Sequence, residues 1–126
     1  MTTRSEGLTK TLNAEGTIPA YTLVKVGAND HGALAASAVS DFIIGVSGSV
    51  AAVSGERVDV ILGGIATVTY GATVARGALL TTDSSGRAVT AAPAAGTNNR
   101  VIGIAMISGV VGDLGAVLID CGTTQG

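Results

Sequence analysis

The chain has 126 residues, which is the size of one domain with a single hydrophobic core. Hydrophobic residues make up 47% of it and charged residues only 13%, so we expect part of its apolar surface to be buried against other subunits or a partner. The net charge of −2, without any basic run, excludes a nucleic-acid footprint. A single cysteine, Cys121, excludes an internal disulfide and a cysteine-based zinc site.

The residue types favour strands over helices. The chain has 19 glycines, no tryptophan and only three aromatic residues, so we expect a core of Val, Ile, Leu and Ala. β-Branched side chains pack well on a pleated surface, whereas Gly inside a helix costs roughly 1 kcal/mol relative to Ala. The composition therefore predicts an all-β protein.

Residues 1–17 are polar, contain Gly7 and Gly16, and show no clean hydrophobic period. They also lack the apolar core of a signal peptide. This pattern predicts an N-terminal arm over residues 1–17 and a β domain over residues 18–126. An exposed arm of this kind can add a strand to the sheet edge of a partner.

Three hairpins are predicted along the chain. Residues 58–62 and 65–70 alternate in polarity around Gly63-Gly64, and two glycines suit the positive φ angles of a two-residue turn. The other two hairpins have longer loops rich in Asn, Asp, Ser and Gly, and they pair residues 22–26 with 33–37 and residues 78–82 with 87–91.

Residues 101–119 are apolar over a length that raises the question of a transmembrane helix. Four glycines and Asp113 interrupt the stretch, however, and Gly112-Asp113 lies in its second half. We therefore predict two strands joined by a loop, and no membrane partner.

A weak internal repeat occurs at a spacing of about 57 residues. Residues 42–46 correspond to residues 100–104, and Gly55-Glu56 corresponds to Gly112-Asp113. Each half reads as a hairpin, an Ile-Gly strand, a Gly-acid loop and a final strand, with the strand after Gly63-Gly64 inserted between the halves. This favours an internal duplication and about nine short strands, arranged as a β-sandwich, a jelly roll or a β-barrel.

The residues available for chemistry are few. His31 is the only histidine and lies in a predicted turn, so we expect a solvated turn residue. Cys121 has no second histidine to activate it, and we expect a buried, inert thiol. The acidic candidates lie mostly in predicted turns, and we expect solvated side chains at Glu56, Asp59, Asp83, Asp113 and Asp120. We predict no enzyme, no catalytic residue, no metal site, no cofactor and no small-molecule substrate.

Short motifs recur in an ordered series over residues 14–120. They are GTIPA at 16–20, LVKV at 23–26, IIGV at 43–46, GERVDV at 55–60, GIA at 64–66, GALLTTD at 77–83, VIGIA at 101–105 and GAVLI at 115–119. In order and spacing, this series resembles the capsid decoration (cement) proteins of tailed bacteriophages. The polar lead-in before Gly16 is longer than that pattern.

The resemblance implies a virion protein that is made in the bacterial host cytoplasm and assembles as trimers, or other small clusters, on the outer surface of the expanded phage head. Its partner would be the major capsid protein at capsomer junctions, and its role would be to stabilise the shell against the pressure of packaged DNA. The family has no catalytic residues to carry over. For the arm, the predicted capsid contacts are Thr2, Thr3, Arg4, Lys10, Thr11 and Leu12.

Two other functions stay open on the sequence. Another virion structural component, such as a fibre base or a receptor-binding module, has the same general build, although receptor-binding surfaces usually display more aromatic residues than this chain has. A small β-barrel ligand-binding protein would need a lined cavity, which the many small side chains could leave.

Overall fold

The computed structural model describes residues 8–93 and 95–125, which form ten β-strands in two sheets. The strands are β1 (Thr9–Ala14), β2 (Leu23–Val26), β3 (Gly32–Ala35), β4 (Ile43–Ser47), β5 (Arg57–Ile61), β6 (Ile65–Thr69), β7 (Leu79–Thr82), β8 (Ala88–Thr90), β9 (Asn98–Ala105) and β10 (Leu114–Gln125). The predicted all-β class is confirmed. In the described residues, no helix is long and apolar enough to cross a membrane.

The first sheet, here called the barrel unit, is a closed barrel with strand order β1-β3-β2-β4-β5, in which β5 pairs back with β1. β1 and β3 run parallel, and the other neighbours are antiparallel. The interior of a five-stranded barrel is narrow, and small side chains alternate with larger ones to fill it. The core residues are Leu12, Ala14, Ile18, Val24, Ala33, Ala52, Val58 and Val60.

The second sheet, here called the sheet unit, has strand order β6-β10-β9-β7-β8. Its two edge strands approach each other at a parallel bridge between Tyr70 and Ala88, so the sheet curls almost into a second barrel. Its core cluster also contains four residues of the barrel-unit strands, namely Leu23, Ile43, Val46 and Ile61. The outer side of the barrel therefore packs against the inner face of the sheet unit.

The two units repeat one another. Shifting the strand numbers by five converts the neighbours of the barrel unit into those of the sheet unit, so that β1 corresponds to β6 and β5 to β10. The Ile18–Ala52 bridge of the barrel unit has its counterpart in the Val74–Gly109 bridge of the sheet unit. The repeat seen in the sequence thus extends over both units, and the strand that it leaves between the halves is the counterpart of β1.

Two equivalent glycines account for the repeated Ile-Gly motif. A Cβ on Gly45 would overlap the carbonyl oxygen of Ile61, and a Cβ on Gly103 would overlap that of Leu118. Ile61 and Leu118 hold equivalent places in β5 and β10. In each unit, a bare Cα lets one strand approach the backbone of the next more closely than any other residue would permit.

The predicted two-residue hairpin at Gly63-Gly64 is wrong. β5 pairs with β1 and β4 in the barrel unit, whereas β6 pairs with β10 in the sheet unit. Gly64, at a φ of 79°, redirects the chain from one unit to the other. Polarity alternation marked both strands correctly but does not specify their partners. The two hairpins with longer loops are confirmed as β2–β3 and β7–β8, and residues 101–119 contain parts of two strands as predicted.

Part of the predicted arm lies in the barrel unit, and this corrects the boundary predicted at residue 18. Residues 9–14 form β1, which pairs with β5, and Leu12 and Ala14 are buried in the barrel core. Leu12 and Ala14 are the only apolar residues of β1, and they alternate with polar Thr and Asn side chains. Because the segment is polar overall, its composition does not indicate a strand. β1 also raises the count from about nine strands to ten. Residues 1–7 of the arm lie outside the described residues.

Candidate functional site

His31 and Cys121 are the candidates for a catalytic base and a nucleophile. His31 is an exposed residue of the β2–β3 turn, with a φ of 60°. Cys121 is exposed, which contradicts the predicted buried thiol, because it lies at the irregularity of β10 between Ile119 and Gly122. Partial desolvation and the adjacent Asp120 carboxylate raise the pKa of the Cys121 thiol. The thiolate is the reactive form, so a raised pKa keeps this group unreactive near neutral pH.

The acidic side chains fasten loops. Glu56 Oε1 accepts the Val53 N–H at 2.8 Å, and Asp113 Oδ2 accepts the Val110 N–H at 2.9 Å. We call these two hydrogen bonds carboxylate caps. They are equivalent in the repeat and shape the β4–β5 and β9–β10 loops in the same way. Across residues 8–93 and 95–125, no group of three or more potential metal-binding side chains comes together. Glu56 and Asp113 therefore have structural partners in loops where the sequence predicted solvated groups, whereas Asp59 and Asp120 lie in β5 and β10.

Glu15 anchors the β2–β3 turn to the end of β1. Its carboxylate accepts the N–H of Ala28 at 2.7 Å and the N–H of Asn29 at 3.0 Å. These two backbone hydrogen bonds lower the pKa of Glu15 below its usual value, because they favour the charged form. The turn that carries His31 is thus held in one position against the barrel unit.

Three of the predicted arm contacts lie in the described residues, and the structure does not bring these three onto one surface. Lys10 and Thr11 are exposed on β1, and Thr11 Oγ1 donates a 2.8 Å hydrogen bond to Asp59 Oδ1 on β5. Leu12 is only 7% exposed and faces the barrel core, so it is unavailable to a partner of the folded barrel. The other three predicted contacts, Thr2, Thr3 and Arg4, lie outside the described residues.

The outside of the barrel unit carries an open groove of about 650 Å³ with a lining of mixed polarity. Its lining residues are Thr9, Thr11, Gly48, Ser49, Val50, Arg57, Val58, Asp59 and Ile61. A ligand carrier needs a concave site lined mainly by apolar side chains. This groove is exposed and mixed in polarity, so it gives little support to the ligand-binding alternative.

The outer face of the sheet unit presents an apolar row that the sequence analysis missed. Leu118 of β10 lies opposite Ile65 on one side and Ile104 on the other, and Ile104 lies opposite Leu79. Directly opposed residues of neighbouring strands share one face of a sheet. Leu79 is 41% and Leu118 is 39% exposed. We call Leu79, Ile104, Leu118 and Ile65 the apolar row.

A sequence signal for this face existed. Both faces of β10 are apolar from Leu114 to Ile119, whereas β5 alternates between exposed polar and buried apolar residues over Arg57–Ile61. A strand that is apolar on both faces is typical of a sheet covered on both sides. The prediction of two strands over residues 101–119 rests on this run, and the second apolar face of the run is the signal that indicates a partner.

Two similar β units with capped loops, a mixed open groove and an apolar outer face define a small structural β protein. A family model described as phage cement protein matches residues 2–117, and the chain belongs to this family. The resemblance seen in the sequence is thereby confirmed. The protein is structural rather than enzymatic, and it is a component of the phage virion capsid.

The fold is also found in solved structures, and one of them is a phage protein. The head fiber gp8.5 N base in bacteriophage phi29 matches with a TM-score of 0.66 and 21% sequence identity, over 90% of this chain and 93% of that chain. At this identity the likeness concerns the fold. Among curated proteins, no sequence matches this chain.

Proposed function

We propose that this chain is a decoration protein that binds the outer surface of the expanded phage head at capsomer junctions and stabilises it against internal DNA pressure. The observation that carries the proposal is membership of the phage cement family over residues 2–117. The major capsid protein is then its partner. Neither nucleic acid, nor a membrane, nor a small molecule is needed for this role.

The build of the molecule supports a mechanical role. Two β units share one core cluster, and equivalent carboxylate caps hold their long loops. A protein of this kind can transmit load between capsid subunits because its packed interior resists deformation. Apolar burial contributes roughly 25 cal/mol per Å², so modest contacts repeated over a lattice stabilise the shell substantially.

We propose further that the chain acts as a small homo-oligomer, most simply a trimer. Its low charge and high apolar content leave surface to bury between copies. Linked copies also bind a lattice more tightly than single ones, since the later contacts become intramolecular. Sedimentation equilibrium at tens of micromolar tests this state, and a clean monomer contradicts it.

The experiment for the main proposal uses heads of the phage that encodes this chain. Purified protein is mixed separately with unexpanded and expanded heads, and each mixture is run on a density gradient. Co-migration with expanded heads alone, saturating at a fixed copy number per capsomer, supports the decoration role. Co-migration with neither form contradicts it, and equal binding to both removes the requirement for expansion.

A second candidate function is the base of a head fibre. The observation favouring it is the fold shared with the phi29 head fiber base, over nearly the whole of both chains. A fibre base holds further protein that projects from the head. Reconstructed virions distinguish the two functions, because density extending outward from this chain supports a fibre base and a bare surface supports a decoration protein.

The proposed function includes a contact between the N-terminal residues and the capsid. Thr2, Thr3 and Arg4, with Lys10 and Thr11 beside them in sequence, are proposed to contact the capsid. Deletion of residues 2–7 tests this and leaves β1 whole, since β1 begins at Thr9. A lower affinity for expanded heads supports the contact, whereas an unchanged affinity contradicts it. The double substitution of Lys10 and Thr11 by Ala tests the described part separately.

A further inference from the structure

The apolar row of the sheet unit has a counterpart in the barrel unit. The counterpart row consists of Leu23, Val46 and Ile61, which lie opposite one another in β2, β4 and β5. These strands correspond to β7, β9 and β10 in the repeat, so the two rows occupy the same places in their units. Both rows lie on the side of the sheet that faces away from the interior of its own unit.

The two rows differ in what covers them. Leu23 and Val46 are 0% exposed and Ile61 is 8% exposed, because the inner face of the sheet unit packs over them. In the apolar row Leu79 and Leu118 remain about two-fifths exposed. In stacked repeats each unit covers the apolar face of its neighbour. The sheet unit covers the barrel unit in this way, while its own outer face keeps apolar side chains that are partly exposed.

The exposed side chains beside the two rows also differ between the units. In the barrel unit, β5 presents Arg57 and Asp59 to solvent, opposite Asn13 and Thr11 of β1. At the equivalent places, β10 presents Leu114 and Ala116, opposite Thr69 and Thr67 of β6, and Leu114 is 52% exposed. At these equivalent strand positions, the fold thus carries a charged pair on its first unit and apolar side chains on its second.

We propose that the outer face of the sheet unit, formed by the apolar row and Leu114, binds an uncharged apolar patch of the major capsid protein. This inference rests on the proposed function and identifies the surface that carries it out. The face has no charged side chain of its own, so its partner surface must be apolar, and binding through it depends little on salt.

The size of the face favours the capsid over a second copy of this chain. None of its five side chains is more than 52% exposed, so the face falls far short of the ~800 Å² per partner that stable complexes of two proteins bury. A contact of this size holds an isolated pair weakly. It suffices on a lattice, where several linked copies bind at once and their contacts reinforce one another.

Two variants test the face. The first is Leu79→Thr with Leu118→Thr, which shortens the apolar row with a residue that suits strands. The second is Leu114→Arg with Ala116→Asp, which installs the charged pair that the barrel unit already carries at the equivalent places. The control is Val50→Arg in the β4–β5 loop, where the side chain is 76% exposed. Each protein is assayed for binding to expanded heads at 50 and 300 mM salt, for thermal unfolding, and for oligomeric state.

We expect both double variants to bind expanded heads at least tenfold more weakly at either salt concentration, with an unchanged oligomeric state and a transition temperature within a few degrees of the parent. The control should bind as the parent does. If a folded double variant binds heads with the parental affinity, the face is not the capsid surface. If binding is lost only together with oligomerisation, the face joins copies of this chain and the inference is wrong. Failure of the parent protein itself to bind heads contradicts the proposed function first.

Discussion

The phenol of Tyr70 donates a 2.6 Å hydrogen bond to the carbonyl oxygen of Ile107, and so ties the end of β6 to the β9–β10 loop. Its ring is fully buried against Gly109 and Gly115, where a Cβ would crowd or overlap it. The equivalent place in the barrel unit holds Ala14, which pairs with Ala33 in the closed barrel. The large ring fills the space that the sheet unit leaves by not closing fully.

Replacing Tyr70 with Phe should destabilise the fold by about 1 kcal/mol, because the Ile107 carbonyl loses its donor while the ring stays in place. Replacing it with Ala should cost roughly 3–5 kcal/mol, since a buried aromatic ring is removed. Urea unfolding of the three proteins measures both values. Equal stability of the parent and the Phe variant would show that the hydrogen bond is energetically irrelevant.

Alkaline pH should weaken the parent more than the Phe variant. Burial raises the pKa of Tyr70 above its ordinary value near 10, so the folded state holds this proton more tightly than the unfolded state. The stabilisation is complete below pH 10 and is lost as the pH rises through the higher pKa of the folded state. Thermal unfolding between pH 8 and 11 should show the difference between parent and Tyr70→Phe shrinking. A constant difference contradicts this account.

Glu15→Gln should destabilise the protein at pH 6 but have progressively less effect in acid. The N–H groups of Ala28 and Asn29 lower the pKa of Glu15, so the folded state favours the carboxylate. This stabilisation is present above the pKa of the unfolded state, near 4.5, and is lost as the pH falls through the lower pKa of the folded state. Transition temperatures of both proteins from pH 6 to pH 3 test it, and curves that run parallel over this range contradict it.

The variants Gly45→Ala and Gly103→Ala should each be less stable than the parent by about 1–3 kcal/mol. In both, the added methyl group meets a backbone carbonyl that can move only with its strand. The matched control is Gly48→Ala. There the nearest atom to the new Cβ is 3.8 Å away, which is ordinary contact, and we expect a change of about 0.5 kcal/mol or less. Denaturant midpoints of the three variants decide this. Similar values for Gly45→Ala and Gly48→Ala would remove the explanation given for the Ile-Gly motif.

The sequence predicted those features that depend on neighbouring residues. Turn residues around Asn29 and Asp83 marked two hairpins correctly, since a long loop with such residues favours local antiparallel pairing. The predicted Gly63-Gly64 hairpin is wrong because β5 pairs with β1 and β4 while β6 pairs with β10, and polarity alternation does not encode strand partners. The exposed Cys121 was missed because a strand irregularity cannot be seen in the order of residues.

The candidate surface was harder to predict than the fold. The predicted arm contacts followed from the polarity of residues 1–17, but polarity does not reveal that Leu12 completes a barrel core. The apolar row joins residues of four strands that are distant in sequence, so only the strand register brings Leu79 and Leu118 onto one face. Low charge and high apolar content indicated that such a face exists, without locating it.

The place of residues 9–14 in the barrel is tested by Leu12→Ala and Lys10→Ala. Leu12 is 7% exposed in the barrel core, so its truncation should cost roughly 2–5 kcal/mol through lost burial and the cavity left behind. Lys10 is exposed two residues earlier on the same strand, and its truncation should change stability by no more than about 0.5 kcal/mol. Urea unfolding compares the two variants with the parent. If residues 9–14 were instead a free arm, both substitutions would leave the unfolding midpoint unchanged.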